Sequence, residues 1–198
     1  MDGWASYRPS DFVLFSARAW WRTVEAANVA MWPLQVATLA IGVALLGVVW
    51  RRRADLAPAA WVGAAGAWVC VAWFFHATHH AAIDWSAPFF AAAFAFEAAL
   101  LVVSAAAAAA TPAIGARRTI GLALLLAGVA AYPLVALAAG RAWPAQAEAF
   151  GAMPDPTAVS TLGLLLALPP SRRWLAVLLW PIPLASLAVS GVLLATMR

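Results

Sequence analysis

The 198-residue sequence contains no lysine, and only 10% of its residues are charged: twelve arginines and eight acids. Its apolar share is 66%, whereas soluble domains carry about 25% charged and 45–50% apolar residues. A soluble fold of this length could not bury so much apolar surface, and the remainder would drive aggregation. The composition therefore excludes a soluble enzyme, a disordered chain and a nucleic-acid-binding module.

Cysteine is equally scarce. The single Cys70 excludes an internal disulfide framework and a cysteine-rich metal site. The sequence also lacks a glycine-rich phosphate loop, a nucleophile elbow and a Ser/His/Asp set. An enzyme is therefore the least favoured class of function, although membrane enzymes can scatter their catalytic residues along the chain.

Long apolar runs are what the sequence has in abundance. A bilayer core about 30 Å thick needs roughly 20 apolar residues at 1.5 Å each. Six runs are candidates, and only one of them carries a charge, Glu97. The runs cover residues 31–50, 56–75, 86–114, 119–140, 157–170 and 174–197. We predict an all-α integral membrane protein whose six transmembrane helices form a domain over residues 29–198, with the lipid bilayer as its partner and no nucleic acid.

An interfacial amphipathic helix is predicted to precede these spans, in an N-terminal segment covering residues 1–28. Over residues 10–28, Asp11, Arg18, Arg22 and Glu25 recur on one helical face. Paired tryptophans in the same stretch suit the headgroup layer of a bilayer. The start of the chain lacks a basic stretch, an apolar run and a small-residue cleavage site, so we expect no cleavable signal peptide.

Arginine clusters predict the orientation in the membrane. The arginines at 51–53, 117–118 and 172–173 follow the first, third and fifth spans, so all three clusters lie on one side. The positive-inside rule makes that side cytoplasmic and places both termini outside.

The fifth span is unusually short. Asp155 suits the N-cap and Pro156 the first helical position, and residues 157–170 then cover only about 21 Å. Two interpretations are open. Either the bilayer is thinned and tilted neighbours cover a short span, or the helix starts below the outer surface after a re-entrant loop. Broken helices of the second kind line substrate sites in transporters.

Four polar side chains are predicted to share one depth in the membrane. Gln35, Glu97, Tyr132 and Asp155 each lie 14 to 16 residues from the inner end of their span, or roughly 22 Å. An intramembrane carboxyl usually faces the bundle interior or a cavity. We expect Glu97 and Asp155 to bind a cation or proton, with Gln35 and Tyr132 orienting it by hydrogen bonds. A packing role is the alternative for Glu97.

A histidine cluster follows the second span. His76, His80 and Asp84 are spaced by four residues, so a continuing helix would place them on one face, with His79 beside them. Imidazoles and a carboxylate are suitable ligands for Zn²⁺ or Cu²⁺. Ordinary interfacial loop histidines are the alternative. Haem is not expected, because three histidines within five residues cannot approach opposite haem faces.

Three stretches carry recognisable patterns. They contain Ser10-Asp11-Phe12 and Trp32-Pro33, then Trp73-x2-His76 and Ile83-Asp84, then Tyr132-Pro133-Leu134 and Pro154-Asp155-Pro156-Thr157. Together they cover nearly the whole chain and resemble a bacterial multi-pass membrane family, domain of unknown function 6064. The resemblance implies location in the bacterial inner membrane but no activity.

The resemblance also bears on the candidate site. Gln35, His76, Tyr132 and Asp155 fall within the family's motif stretches. Members often have a cysteine where this chain has Asp155, which weakens soft-metal binding here. They often have glutamine near the position of Glu97, which weakens a general proton-carrier role for that residue.

Two function classes follow from these observations. The favoured one is cation or small-molecule handling through an outward-facing polar site, whose acidic surroundings would attract cations. The second is a non-catalytic accessory or assembly subunit of a larger membrane complex, or a homo-oligomer. The small size, the twelve tryptophans and the N-terminal helix favour this second class.

Overall fold

The computed structural model describes residues 15–107 and 112–197, and all regular structure within these ranges is helical. The α-helices in chain order are α1 (Ala17–Met31), α2 (Leu34–Trp50), α3 (Ala57–Cys70), α4 (Ala87–Ala106), α5 (Gly115–Leu126), α6 (Tyr132–Ala138), α7 (Pro154–Ala167), α8 (Arg173–Leu179) and α9 (Pro181–Thr196). The predicted start of the N-terminal helix, with Ser10 and Asp11, lies outside the described residues.

Four helical stretches are long and apolar enough to cross a membrane. They are Ala54–Ala82, Ala87–Ala106, Gly115–Ala138 and Arg173–Thr196. A fifth results if α1 and α2, which meet at a bend of 90°, are taken as one span. The prediction of several long apolar helices is therefore confirmed. The third run ends earlier than predicted, because the backbone becomes extended at Ala107, with ψ 96°.

Two of these long stretches contain π-helical turns. The first, Val71–His79, continues α3 and carries His76. The second, Ala127–Ala131, joins α5 to α6 and ends directly before Tyr132. π turns shift the angular position of the residues that follow and often occur at functional sites. The predicted histidine cluster therefore lies within one such shift, and the predicted Tyr132 lies directly after the other.

α1 begins at a cap and has one buried face. The Ser16 hydroxyl accepts a hydrogen bond from the Ala19 N–H at 3.3 Å. The apolar face of α1 is buried and includes Trp20, Val24 and Ala27. On the other face three charged side chains are exposed: Arg18, Arg22 and Glu25.

α7 is the central helix of the bundle. Twelve of its 14 residues are buried, and it packs chiefly against α5 and α9, with α2 and α3 also in contact. A Cβ added at Gly163 would lie 2.6 Å from the Gly121 carbonyl oxygen and 2.7 Å from the Leu125 nitrogen. The absence of a side chain therefore lets the α5 and α7 backbones touch. Protein covers α7, so it can hold polar side chains in an otherwise apolar bundle.

The start of α7 differs from the prediction. Met153 is the N-cap, Pro154 opens the helix, and Asp155 lies inside the first turn instead of capping it. The Thr157 hydroxyl fixes this arrangement, because it accepts from the Gly151 N–H and donates to the Met153 carbonyl, both at 2.8 Å. The helix ends at Ala167, before the predicted Pro170.

Helix ends and loops at one end of the bundle are hydrogen-bonded to each other. The bonds run from Arg118 Nη2 to the Trp50 carbonyl (2.7 Å), from the Ala113 N–H to the Ala167 carbonyl (2.8 Å) and from the Ser171 hydroxyl to the Ala107 carbonyl (3.0 Å). The segments after α2, α4 and α7 are therefore neighbours. These segments lead into the three arginine clusters, and we call this end the arginine end.

α1 covers the other end of the bundle, the α1 end. The Asn28 side-chain amide donates to the Ala145 and Ala147 carbonyls, each at 2.8 Å. The Arg141 guanidinium lies 3.8 Å above the centre of the Trp21 ring, a cation–π contact. α1 is thus fastened to the loop that joins α6 to α7.

Candidate functional site

His76 and His80 form a buried pair at the α1 end. Their Nδ1 atoms are 3.0 Å apart, so one ring donates a hydrogen bond to the other. Each residue is 4% exposed, and the rings of Phe90 and Phe94 lie 5.5 and 4.8 Å from His76, centre to centre. The two histidines predicted to share a helix face are therefore in contact, inside an aromatic wall.

Asp84 adjoins this pair. Its Oδ2 is 3.5 Å from His80 Nε2, and its Oδ1 accepts from the Ser86 N–H and hydroxyl at 2.8 and 2.7 Å. Asp84 follows the end of the helical stretch at Ala82 and does not continue it. His79 is separate, because its Nδ1 donates to the Phe74 carbonyl at 2.6 Å.

His76, His80 and Asp84 were predicted to hold a metal ion. Across residues 15–107 and 112–197, no three His, Cys, Asp or Glu side chains are grouped as metal ligands. Binding of Zn²⁺ or Cu²⁺ by His76, His80 and Asp84 stays a prediction.

A second polar cluster centres on Asp155. The Ser190 hydroxyl donates to its Oδ1 at 2.5 Å, and the Tyr132 hydroxyl donates to its Oδ2 at 3.0 Å. Three elements supply these groups: the start of α7, the start of α6 and the middle of α9. The structure thus joins the predicted Asp155 and Tyr132. Sequence reasoning missed Ser190, although Ser186 and Ser190 stand four residues apart in an apolar run.

A small cavity lies between the two clusters. Its volume is about 30 Å³, enough for about one or two water molecules. The walls that matter chemically are Trp20, His76, His80, Pro154, Ser186 and Ser190. In the part of the chain that the structure describes, two buried ring nitrogens of this wall have no hydrogen-bond partner, Trp20 Nε1 and His76 Nε2, whereas His80 Nε2 faces the Asp84 carboxylate at 3.5 Å. Buried polar atoms are normally paired, so the two unpaired nitrogens indicate a guest.

Glu97, in the middle of α4, is buried outside these two clusters. It is 0% exposed, and among the described residues neither carboxyl oxygen has a hydrogen-bond partner. Phe94, one turn away on the same helix, lines the cavity and packs on Trp68 at 4.7 Å between ring centres. An unpaired carboxylate inside a protein is very unfavourable. The Glu97 carboxyl is therefore either protonated or bound to a cation.

Gln35 belongs to a different network. Its side-chain amide donates to Asn28 Oδ1 at 2.7 Å, and Asn28 in turn holds the loop before α7. Gln35 thus fixes the bend between α1 and α2. Of the four side chains predicted at one depth, the structure joins Tyr132 to Asp155 by a hydrogen bond and gives Gln35 and Glu97 other surroundings.

Sequence reasoning also missed an ion pair in the loop before α7. Arg141 Nη1 is 3.3 Å from Glu148 Oε2, and both side chains are largely buried. Burial and the nearby Asp155 raise the pKa of Glu148 to about 7, against the opposing effect of Arg141. Glu148 therefore changes charge near neutral pH, close to the Asp155 cluster.

Fold and site together define an all-helical protein with apolar helices long enough for a membrane and an enclosed polar cluster. The chain belongs to the family of unknown function DUF6064, whose model matches residues 17–197. This match confirms the resemblance seen in the sequence. Comparisons with curated proteins and with solved structures gave no match.

Proposed function

We propose that this is a bacterial inner-membrane protein with six crossings, of which α2 is the first and the short α7 the fifth. The hydrogen bonds at the arginine end support this topology. Six alternating crossings bring the segments after α2, α4 and α7 to the same side, as their mutual contacts require. The positive-inside rule makes the arginine end cytoplasmic and the α1 end outward-facing.

We further propose that the protein binds and passes a cation at the α1 end, and that this cation is the proton. One observation carries the proposal. The His76–His80 pair and the Ser190–Asp155–Tyr132 cluster meet at a single cavity of about 30 Å³, where Trp20 Nε1 and His76 Nε2 have no partner among the described residues. Such a cavity suits water, which can both accept and donate hydrogen bonds.

The charges around the cavity favour a positive guest. Asp155 is a carboxylate within the protein, and its Ser190 partner lies on the cavity wall. An enclosed carboxylate is stabilised by nearby positive charge, and a neutral imidazole keeps one ring nitrogen that can accept a proton. A proton that enters the cavity therefore has acceptors on both sides.

The Trp20 side chain favours a water-borne proton as the guest of the cavity and disfavours a bare metal ion. The indole Nε1–H is a hydrogen-bond donor only, so it needs an acceptor and repels a cation that lies directly against it. A water molecule satisfies Trp20 as an acceptor and can still exchange protons with an imidazole or a hydroxyl group.

The same groups form a relay. A proton on His80 Nδ1 passes to His76 Nδ1 across 3.0 Å. The proton that His76 then releases from Nε2 reaches Ser190 through cavity water. The Ser190 hydroxyl oxygen lies 2.5 Å from Asp155 Oδ1, so Ser190 can pass its own proton to Asp155 as it receives one from the water. The Tyr132 hydroxyl orients the Asp155 carboxylate. Asp84 stands next to His80 at the entrance of the relay.

Proton flux into vesicles tests this function. The purified protein is reconstituted with a pH-sensitive dye inside, and a pH gradient is imposed. We expect dye response to scale with protein and to fall about 100-fold or more in Asp155→Asn, the typical scale for losing a proton-transfer group. Asp55→Asn is the matched control, because Asp55 is exposed and pairs with Arg53 at the arginine end.

Other outcomes would replace the proposal. Equal flux in Asp155→Asn and wild type would overturn the role of the cavity. Stoichiometric Zn or Cu that disappears in the His76→Ala/His80→Ala double variant would make the guest a metal. An inert protein that purifies with other chains would favour the accessory-subunit interpretation.

A further inference from the structure

A second concave surface lies at the arginine end, between α2 and α5. It is a groove of about 470 Å³, a volume in the range of small-molecule pockets. Its walls are almost wholly apolar: Val43, Leu46, Gly47, Trp50, Leu122, Ala123 and Leu126, with Arg51 at one end. The groove is therefore shaped for a hydrocarbon guest that carries a group able to bind a guanidinium.

Small residues keep the groove open. Apart from its chain neighbours and its own helix backbone, no atom of the described residues comes within 4 Å of a Cβ built at Gly47, and Ala123 adds only a methyl group on the facing helix. A larger side chain at Gly47 would occupy the space directly. This position therefore offers a way to fill the groove without touching its charged end.

Two arginines supply positive charge at that end. Arg51 lines the groove, and Arg118 reaches the same place, since its Nη2 donates to the Trp50 carbonyl at 2.7 Å. Arg53 is otherwise engaged, because it binds Asp55 through two hydrogen bonds of 2.8 and 2.6 Å. Asp55 is the acid among the described residues of the loops at the arginine end. It is thus already paired, and the groove mouth keeps a net positive charge.

We propose that this groove binds an anionic phospholipid. One acyl chain lies along the apolar walls of α2 and α5, and the phosphate lies at Arg51 and Arg118. Guanidinium groups bind phosphate through paired, charge-assisted hydrogen bonds, and arginines next to a membrane favour anionic lipids. The inference rests on the proposed membrane placement and is independent of the histidine cavity.

Lipid retention tests the proposal. The detergent-purified protein is incubated with equal amounts of phosphatidylglycerol and phosphatidylcholine of the same acyl chains, and bound lipids are counted by native mass spectrometry. We expect phosphatidylglycerol to be retained over phosphatidylcholine, and Arg51→Gln to cut this preference about fivefold. Gly47→Leu should reduce retention of both lipids.

Two variants serve as matched controls. Gly66→Leu adds the same side chain at another open helix position, since nothing described lies within 4 Å of its Cβ. Arg52→Gln removes a charge from the same exposed turn but lies off the groove wall. Both should retain lipid like wild type, and size-exclusion profiles should show that all four variants are folded.

Three results would overturn the inference. These are equal retention of the two lipids, unchanged retention in Arg51→Gln and Gly47→Leu, or displacement of phosphatidylglycerol by an equal concentration of inorganic phosphate. Proton flux should be unchanged in Arg51→Gln, so failure of this inference is distinguishable from failure of the proposed function.

Discussion

α7 and α9 pack against each other but differ in their surroundings. Twelve of the 14 residues of α7 are buried, whereas only Pro183 and Ser186 are buried among the 16 of α9. α7 carries Asp155 and several hydroxyl side chains. α9 has two serines on the cavity wall, Ser186 and Ser190, and its other faces are mainly apolar. Protein cover therefore decides where polar groups are tolerated, because lipid offers them no hydrogen-bond partners.

The cover also explains the short length of α7. Residues 147–153, which lead into the helix, are all buried. The loop and the neighbouring helices thus enclose the start of α7. Under the proposed topology, 14 residues then suffice for the fifth crossing, where a lipid-exposed helix would need about 20. Of the two interpretations left open by the sequence, we propose the second, a helix that starts below the outer surface after a re-entrant loop, because non-helical backbone at that depth must be covered by protein.

The largest predicted effect breaks the contact that encloses α7. Gly163→Leu would drive a side chain into the Gly121 carbonyl and the Leu125 nitrogen, 2.6 and 2.7 Å from the Cβ position. We expect loss of the monodisperse protein in size-exclusion chromatography. Gly191→Leu on α9, where the described chain leaves the Cβ position open, should fold normally. Normal folding of both variants would refute the central position of α7.

The next effect compares two leucines. Leu164 on α7 is 0% exposed and Leu194 on α9 is 38% exposed. Leu164→Ala should lower the free energy of unfolding by about 2–5 kcal/mol, because it leaves a cavity in packed protein. Leu194→Ala should lower it by less than about 1 kcal/mol. Denaturant unfolding in detergent measures both values, and equal losses would contradict the difference in burial.

The smallest effect concerns the loop that leads into α7. Burial raises the pKa of Glu148 to about 7 in the folded protein from an ordinary 4.5. Its stabilising contribution is thus fully present below about pH 4.5 and is lost as the pH rises through about 7. Glu148→Gln should flatten the pH dependence of stability by on the order of 1–3 kcal/mol. Glu25→Gln, on the exposed face of α1, should leave the pH dependence of stability unchanged. Thermal unfolding at several pH values measures this dependence for both variants.

The sequence predicted features that depend on local spacing. Long apolar runs give helices, the four-residue spacing brings His76 to His80, and equal depth pairs Tyr132 with Asp155. Depth counting gives no rotation about a helix axis and no neighbour relations. It therefore could not place Ser190 or Trp20 on the cavity wall. It also could not predict that the Gln35 side-chain amide donates its hydrogen bond to Asn28.

Helix boundaries were predicted less well for a related reason. The π turns over Val71–His79 shift the register of a span that the apolar pattern alone represents as regular. Asp155 looks like an N-cap in sequence, yet Ser190 and Tyr132 engage its carboxylate and Thr157 organises the start of α7. Long-range contacts of this kind leave no local signal.

The central claim is that His76, His80 and Asp155 share one proton-binding site. The chain has three histidines, so ¹⁵N NMR of histidine-labelled protein in nanodiscs resolves each imidazole across a pH series. We predict that Asp155→Asn shifts the His76 and His80 signals, leaves His79 unchanged, and that Asp55→Asn shifts none of them. Signals of His76 and His80 that titrate independently and ignore Asp155→Asn would contradict the claim.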